Sequence, residues 1–280
     1  MLLREISLYL SLRTLYKNIN RMLKTNALLL STDTLPNYGL DLVFSIAKKA
    51  GYDGIDLAIW KGFDARDEEY VQQLSFNYNL PVYVVQTSSK LNQKELNKAL
   101  DICAATGADT ICINAPKITD FKVFDFIEAN LASYQKENPD LFFSILNPKD
   151  SKLFALPIPE YRFSNITDII KKYSAYVGLD ITNMDMDSFE DEFVRHLEEY
   201  VPYISVLYLS DKAKNGSSHL LPGEGALDLA NFLKKLRESE YFRPVSVKLD
   251  FKPQELANRG KLLSELKKVK AYYEKYFLNL

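Results

Sequence analysis

From Asn26 onward, short apolar runs alternate with longer amphipathic stretches. Ala27–Ser31, Gly54–Ile59, Val82–Gln86, Thr110–Asn114, Leu141–Leu146, Tyr176–Asp180, Ile204–Leu209 and Val245–Leu249 are compact and rich in Val, Ile and Leu, and each reads as a strand. Between them, helical spacing covers Gly39–Ala50, Arg66–Asn77, Gln93–Thr106, Lys122–Lys136, Ile166–Tyr173, Ser188–Tyr200 and Leu227–Ser239, with a long last helix over Pro253–Phe277. Gly51 and Gly107 stand where a helix is expected to stop, since glycine accepts the left-handed cap conformation. Near-continuous apolar strands alternating with helices predict a parallel sheet covered on its faces. Eight such units in about 255 residues have the size of a (β/α)8 TIM barrel, an α/β fold. A doubly wound open sheet is the runner-up, weakened because no Gly-x-Gly-x-x-Gly or Walker loop follows any strand. One domain over residues 25–280 is expected. Asn147–Asn165, rich in proline, reads as an extended loop of the kind that covers an active site or lacks order.

Composition changes this picture little. The 280 residues are 47% hydrophobic and 26% charged, and the net charge of −2 gives no global reason to expect nucleic acid as a partner. No apolar run is long enough to span a bilayer, so no membrane is expected. Cys103 and Cys112 sit in apolar surroundings and read as reduced core thiols. Residues 1–24 differ, with Arg4, Arg13, Lys17, Arg21 and Lys24 against Glu5, and with Ile6, Leu10, Leu15, Ile19 and Leu23 at roughly helical spacing. This N-terminal extension admits three readings: a targeting presequence, a helix docked on one end of the barrel, or an upstream start preceding Met22. The last two are favoured, which makes a cytoplasmic location the expectation.

In a barrel of this kind the functional groups lie where strands end. Those positions hold Asp56, Gln86, Asn114, Ser144, Asn147, Asp180, Tyr208, Asp211, Lys248 and Asp250, a set suited to a small polyhydroxylated ligand, although any barrel mouth is polar where it meets water. The chain around Ile204–Leu209 is the most informative: strand, Ser210-Asp211, a polar loop, His219, then Pro222-Gly223-Glu224-Gly225 and an amphipathic segment. The second histidine, His196, lies in the acidic stretch EDEFVRHLEEY and reads as a surface residue.

Several segments together resemble the xylose isomerase-like TIM barrel superfamily of sugar-phosphate isomerases, epimerases and endonuclease IV-type enzymes. They are LPNYGLDLVFSIAKKAGYDGIDLAIW (Leu35–Trp60), LNQKELNKALDICAATGADTICINAP (Leu91–Pro116), SILNPKDS (Ser144–Ser151), GLDITNM (Gly178–Met184) and the PGEG turn. The resemblance implies a divalent ion held by a carboxylate on strand five, an Asp on strand six, a His or Gln on strand seven and a Glu on strand eight. Aligned so, this chain has Ser144, Asp180, Tyr208 and Lys248, and Asn183 stands near the place of a further histidine. Only Asp180 is retained, and a hydroxyl, a phenol and an ammonium make a poor cage for a hard cation. Two histidines cannot furnish the trinuclear zinc site of the endonuclease branch.

Three functional readings stay open. The first is an isomerase or epimerase without metal, in which Lys248 supplies positive charge and Asp180, Glu224 or His219 moves the proton, with Gln86, Asn114, Ser144, Asn147, Tyr208 and Asp250 around the substrate. A desolvated Lys248 can have a lowered pKa, and its structural alternative is an ion pair with Asp180 or Asp250. The second is an inactive barrel that binds a ligand or protein, its mouth filled by Tyr208 and Phe154, with oligomerisation open. The third is a manganese, cobalt, magnesium or zinc enzyme with shifted ligands Asp180, Asp211, Glu224 and Asp250.

Overall fold

The computed structural model describes residues 26–116, 120–149, 152–153, 156–157, 166–186, 189 and 193–280. The expectations for residues 1–24 and for Phe154 lie outside these. Eight parallel strands close into a ring in sequential order: β1 (Leu28–Ser31), β2 (Gly54–Ala58), β3 (Val82–Thr87), β4 (Thr110–Ile113), β5 (Phe142–Leu146), β6 (Tyr176–Asp180), β7 (Ile204–Leu209) and β8 (Val245–Val247), with β8 pairing back to β1. This is the (β/α)8 barrel that the alternation predicts. The helices between strands are α1 (Leu40–Ala50), α2 (Glu68–Tyr78), α3 (Gln93–Thr106), α4 (Phe121–Glu137), α5 (Ile166–Tyr173), α6 (Leu197–Tyr200) and α7 (Leu229–Glu238), followed by α8 (Pro253–Ala257) and α9 (Arg259–Tyr273). None among the described residues is long and apolar enough to cross a membrane.

Period-two alternation sorts each strand into two faces. Leu28, Leu30, Leu57, Ile111, Ile113, Val177, Leu179, Leu207 and Leu209 point outward and pack under the helices. Leu29, Val84, Cys112, Val206 and Tyr208 form the interior. The interior is narrow: a Cβ added at Gly178 would lie 2.6 Å from Cys112 Sγ and 3.5 Å from the Tyr208 ring. Gly178 therefore makes room for the largest side chain within. At the N-terminal end Arg243 closes the barrel, its guanidinium 3.8 Å from the centre of the Phe142 ring and its Nη2 donating to Thr110 Oγ1 at 3.0 Å.

Three elements differ from the sequence expectation. Of the helix expected over Ser188–Tyr200, the described residues Phe189 and Phe193 are helical with a wider, π-type spacing, a turn follows through 194–196, and an α-helix begins only at Leu197. The expected C-terminal helix is two, because Asn258 leaves helical geometry and its side chain accepts from Lys261 N at 3.0 Å, starting α9 anew. A wider final turn covers Glu274–Leu278. Strand eight ends at Val247, so Lys248 stands just beyond it. Within the long loop, Lys152–Leu153 and Leu156–Pro157 pair as a short antiparallel hairpin. Cys103 and Cys112 are buried and form no disulfide, in keeping with two core thiols.

The Arg243 plug generates a first prediction. Arg243→Ala should lower the unfolding free energy by about 2–4 kcal/mol, since it removes a stacked cation and hydrogen bonds to Ser205 O, Asp109 Oδ1 and Thr110 Oγ1. Arg243→Lys should recover less than half of it, since an ammonium cannot both stack flat and reach Thr110. Urea denaturation of the three proteins checks this; equal stability for Lys and Arg would refute the stacking contribution.

Candidate functional site

The mouth is organised around Asp180, the last residue of β6. Asn147, just past β5, accepts from Asp180 N through Oδ1 at 2.7 Å and donates Nδ2 to Asp180 O at 3.1 Å. It extends the β5–β6 pairing by one residue after the strand has ended. Asn183 Nδ2 in turn donates to Asn147 O at 2.9 Å. Both carboxylate oxygens of Asp180 are engaged: Oδ1 accepts from Thr182 N and Oγ1 at 3.0 and 2.7 Å, and Oδ2 meets His219 Nε2 at 2.9 Å. The other ring nitrogen, Nδ1, lies 3.6 Å from Asp250 Oδ2.

His219 reaches this place because the loop after β7 is tied down at its base. Asp211 is buried, and its carboxylate accepts from the backbone N–H of Lys212, Gly223, Gly225 and Leu227 at 2.8 to 3.2 Å. Asp211 and Leu220 exchange backbone hydrogen bonds at 2.9 and 3.0 Å. The PGEG turn wraps the carboxylate so closely that a Cβ at Gly225 would fall 2.2 Å from Asp211 Oδ1, and Gly223 adopts a φ of +90°. His219 itself has a φ of +57°, a left-handed conformation held by its carbonyl accepting from Asp250 N at 2.9 Å.

Lys248 completes the cluster. Its Nζ lies 3.5 Å from Asp33 Oδ2 and 5.5 Å from the centre of the Tyr208 ring. The ion pair is thus with Asp33, in the turn after β1, and with neither Asp180 nor Asp250 as the sequence suggests. Asp33 also pairs with Lys61 at 2.7 Å. Lys248 Nζ makes no hydrogen bond to a described residue, although the side chain is only 14% exposed. Desolvation, the largest single influence, pushes its pKa down, but Asp180, Asp33 and Asp56 together outweigh it and leave it above the ordinary value. Lys248 is therefore an ammonium, which corrects the expectation of a lowered pKa.

The other named residues fall into three groups. Ser144, Gln86 and Tyr208 are wholly buried below the mouth, with Ser144 Oγ donating to Ile111 O at 3.1 Å. Asn114 is half-buried just beyond β4. Glu224 is exposed on the turn and pairs with no described residue through its carboxylate. His196 is at the surface beside Glu199, as expected. Sequence reasoning missed Asp33 and Thr182. The run Ser31-Thr32-Asp33-Thr34 after β1 was a signal for the first, and the Asp180-x-Thr182 spacing of an Asx turn for the second.

The donor set of the aligned ligand positions does not suit a divalent cation. Ser144 is turned into the barrel wall, Asp180 has both oxygens occupied, and Tyr208 and Lys248 supply a neutral phenol and a positive charge. The shifted set fares no better, because the Asp211 carboxylate is taken up by backbone N–H groups and Glu224 is exposed on the turn. Among the described residues no group of three or more His, Cys, Asp or Glu side chains is arranged to hold a metal ion.

The chain that builds this mouth matches the xylose isomerase-like TIM barrel family over residues 44–266 and belongs to that family. Similar solved structures include D-allulose 3-epimerase from Methylomonas sp. in complex with D-allulose, with 14% identity over 90% of this chain and 98% of that one and a TM-score of 0.63. D-psicose 3-epimerase with D-tagatose from Clostridium cellulolyticum has 11% identity, 90% and 99% coverage and a TM-score of 0.66. 3-keto-D-glucoside 4-epimerase from E. coli has 15% identity, 87% and 99% coverage and a TM-score of 0.62. No curated protein matches the sequence.

The Asp180–His219 pair makes a pH prediction. Burial, the largest influence on His219, lowers its pKa, but hydrogen bonds and charge from Asp180 and Asp250 raise it overall to about 9, against 6.5 unperturbed. The folded protein thus holds a proton that the unfolded chain releases, so the stabilisation is full below about 6.5 and is lost as pH rises through about 9. Burial, the largest influence on Asp180, raises its pKa, but His219, Lys248 and Thr182 together hold it down at about 2, so its share is lost only in strong acid. Wild type should exceed His219→Gln by about 2–3 kcal/mol near neutrality, with the gap narrowing toward alkaline pH. Denaturant titrations across that range test it, and a gap that does not change would refute it.

Proposed function

We propose that this protein is a sugar or sugar-phosphate isomerase or epimerase that works without a metal, using the Lys248 ammonium where its relatives use a cation. The observation that carries this reading is the ammonium itself: charged, at the mouth of a barrel of this family, and with its N–H donors free of hydrogen bonds to described residues. Three N–H groups on a partly desolvated charge are suited to a carbonyl or hydroxyl oxygen of a polyhydroxylated ligand. The similar epimerases whose structures hold D-allulose and D-tagatose support this ligand class.

In this reading Lys248 stabilises the negative charge that develops on the ligand oxygen when a proton leaves the adjacent carbon. His219 moves the proton. Its Nε2 is committed to Asp180, so exchange occurs at Nδ1, on the side of the exposed Asp250. As a base His219 must be neutral, which its raised pKa postpones to alkaline solution, so the rate rises with pH toward about 9. Asp180 holds the ring in place. One observation favours the alternative of a ligand-binding scaffold: near neutral pH the imidazole is protonated and both oxygens of Asp180 are engaged, leaving neither as a ready base.

The two readings separate in one experiment. Chelator-treated protein, checked by elemental analysis, is incubated in deuterium oxide with a panel of ketoses, aldoses and their phosphates, and deuterium next to the carbonyl is followed by NMR. Exchange should persist after chelation and grow with pH, and Lys248→Met should reduce kcat/KM by roughly 100- to 1,000-fold, the usual cost of one oxyanion donor. Sugar binding by calorimetry without exchange would establish the scaffold. Exchange that requires added manganese, cobalt, magnesium or zinc would overturn both.

A further inference from the structure

Beneath Lys248, inside the barrel, lies a polar layer for which the chemistry above has no use. Asp56 on β2 is wholly buried. Its Oδ2 accepts from Gln86 Nε2 at 2.6 Å and from Ser246 Oγ at 2.7 Å, and Gln86 Nε2 donates further to Ser31 Oγ at 2.9 Å. Both donors to Asp56 are neutral. Its other oxygen, Oδ1, has no hydrogen-bond partner among the described residues, and the same holds for Gln86 Oε1, although both atoms are buried. The nearby ammonium of Lys248 forms its ion pair with Asp33 instead.

An ionised carboxylate only accepts hydrogen bonds, so as an anion Asp56 would hold a full charge in a closed interior with one oxygen bare. A carboxyl proton changes the arrangement at once. It removes the charge and turns Oδ1 from an unpartnered acceptor into a donor. Gln86 Oε1 is an unpartnered acceptor on the side chain that already grips the opposite carboxyl oxygen. We propose that in mildly acid solution Asp56 is carried as the neutral carboxylic acid, its proton on Oδ1 with Gln86 Oε1 as the matching acceptor, so that there the barrel floor adds no negative charge beneath Lys248.

The electrostatics agree. Burial, the largest influence, raises the Asp56 pKa to about 7, in spite of the hydrogen bonds from Ser246 and Gln86 and the attraction of Lys248; Asp33 adds to the rise. The titratable groups around Asp56 are Lys248 beyond β8, Asp33 after β1, Tyr208 on β7 and Cys112 on β4. Burial keeps the last two neutral, with the Cys112 thiol pushed up to about 12 and the Tyr208 phenol well above its usual value. Below about pH 7 Asp56 is thus a positioning residue that acts through Lys248, and above it the carboxylate partly offsets the Lys248 charge. That role rests on the proposed use of Lys248; the protonation itself does not.

The test is a carbon-detected NMR titration of the full chain labelled at the aspartate carboxyl carbon. One aspartate signal should stay in its protonated position far above the usual carboxylate range and titrate near about 7. Ser246→Ala, which removes one hydrogen bond to Asp56, should shift that signal and so assign it. Complete ionisation of every aspartate by mildly acid pH would overturn the proposal. Asp56→Asn, an uncharged mimic of the acid, gives an independent readout. Because the folded pKa lies above the unfolded 3.8, wild type should lose Tm relative to Asp56→Asn as pH rises from about 4 to about 7, and no further above that. A difference that is flat, or that moves in favour of wild type, would count against the proton. If Asp56→Asn does not fold, the wild-type titration decides alone. A protonated Asp56 without Lys248-dependent exchange would sink the Lys248 reading only, and an ionised Asp56 with such exchange would sink this one only.

Discussion

The interior of an eight-stranded barrel is small, and alternation delivers side chains into it whether or not they fit. Much of this protein follows from how that space is shared. Tyr208 occupies the centre and is wholly buried, which Gly178 and the slim Cys112 opposite make sterically feasible. The aromatic ring then becomes the surface above which Lys248 stands. Leu29, Val84 and Val206 share the apolar interior with that ring, and the polar groups occupy the remaining zone toward the rim, with Asp56, Gln86, Ser31 and Ser246 as its buried floor. A bulky neutral residue beneath a cation also keeps water from reaching it from below, which strengthens every charge interaction in that zone.

Within it, charge is distributed by backbone geometry rather than by any dedicated cage. Asn147 fixes the main chain of Asp180, Asp211 fixes the main chain of the loop that brings His219, and His219 then closes on Asp180. The carboxylates differ in what they hold. Asp180 orients an imidazole, Asp211 gathers backbone amides, and Asp33 balances Lys248 and Lys61. A family whose members share a barrel can thus keep its framework while the polar groups at the strand ends are rearranged.

The barrel was legible because its signals are local. The runs at Tyr176–Asp180 and Ile204–Leu209 and the helix at Gln93–Thr106 coincide with observed elements, since apolar length, periodicity and a following glycine or turn define each within a short window. The stretch 188–200 is not one regular α-helix because wider helical turns at Phe189 and Phe193 and a turn at 194–196 bury Phe189, Phe193 and Val194 before the α-helix starts. His219 could be placed near the mouth from its turn. The partner of Lys248 could not, because β1 and β8 are neighbours only once the ring has closed, and nothing near position 248 announces Asp33. The same holds for Asp56 and Ser246, which meet across 190 residues of chain.

The Asp211 knot has a consequence for how this site can change over time. Four amide groups converge on one carboxylate at the base of the loop, and the Asp211–Leu220 bridge seals it, while 214–217 at the tip are exposed. The tip can lengthen, shorten or exchange residues without moving the imidazole, because the anchor lies between the tip and the barrel. Sequence change in this loop is therefore absorbed at the tip, while the His219 ring stays in register with Asp180.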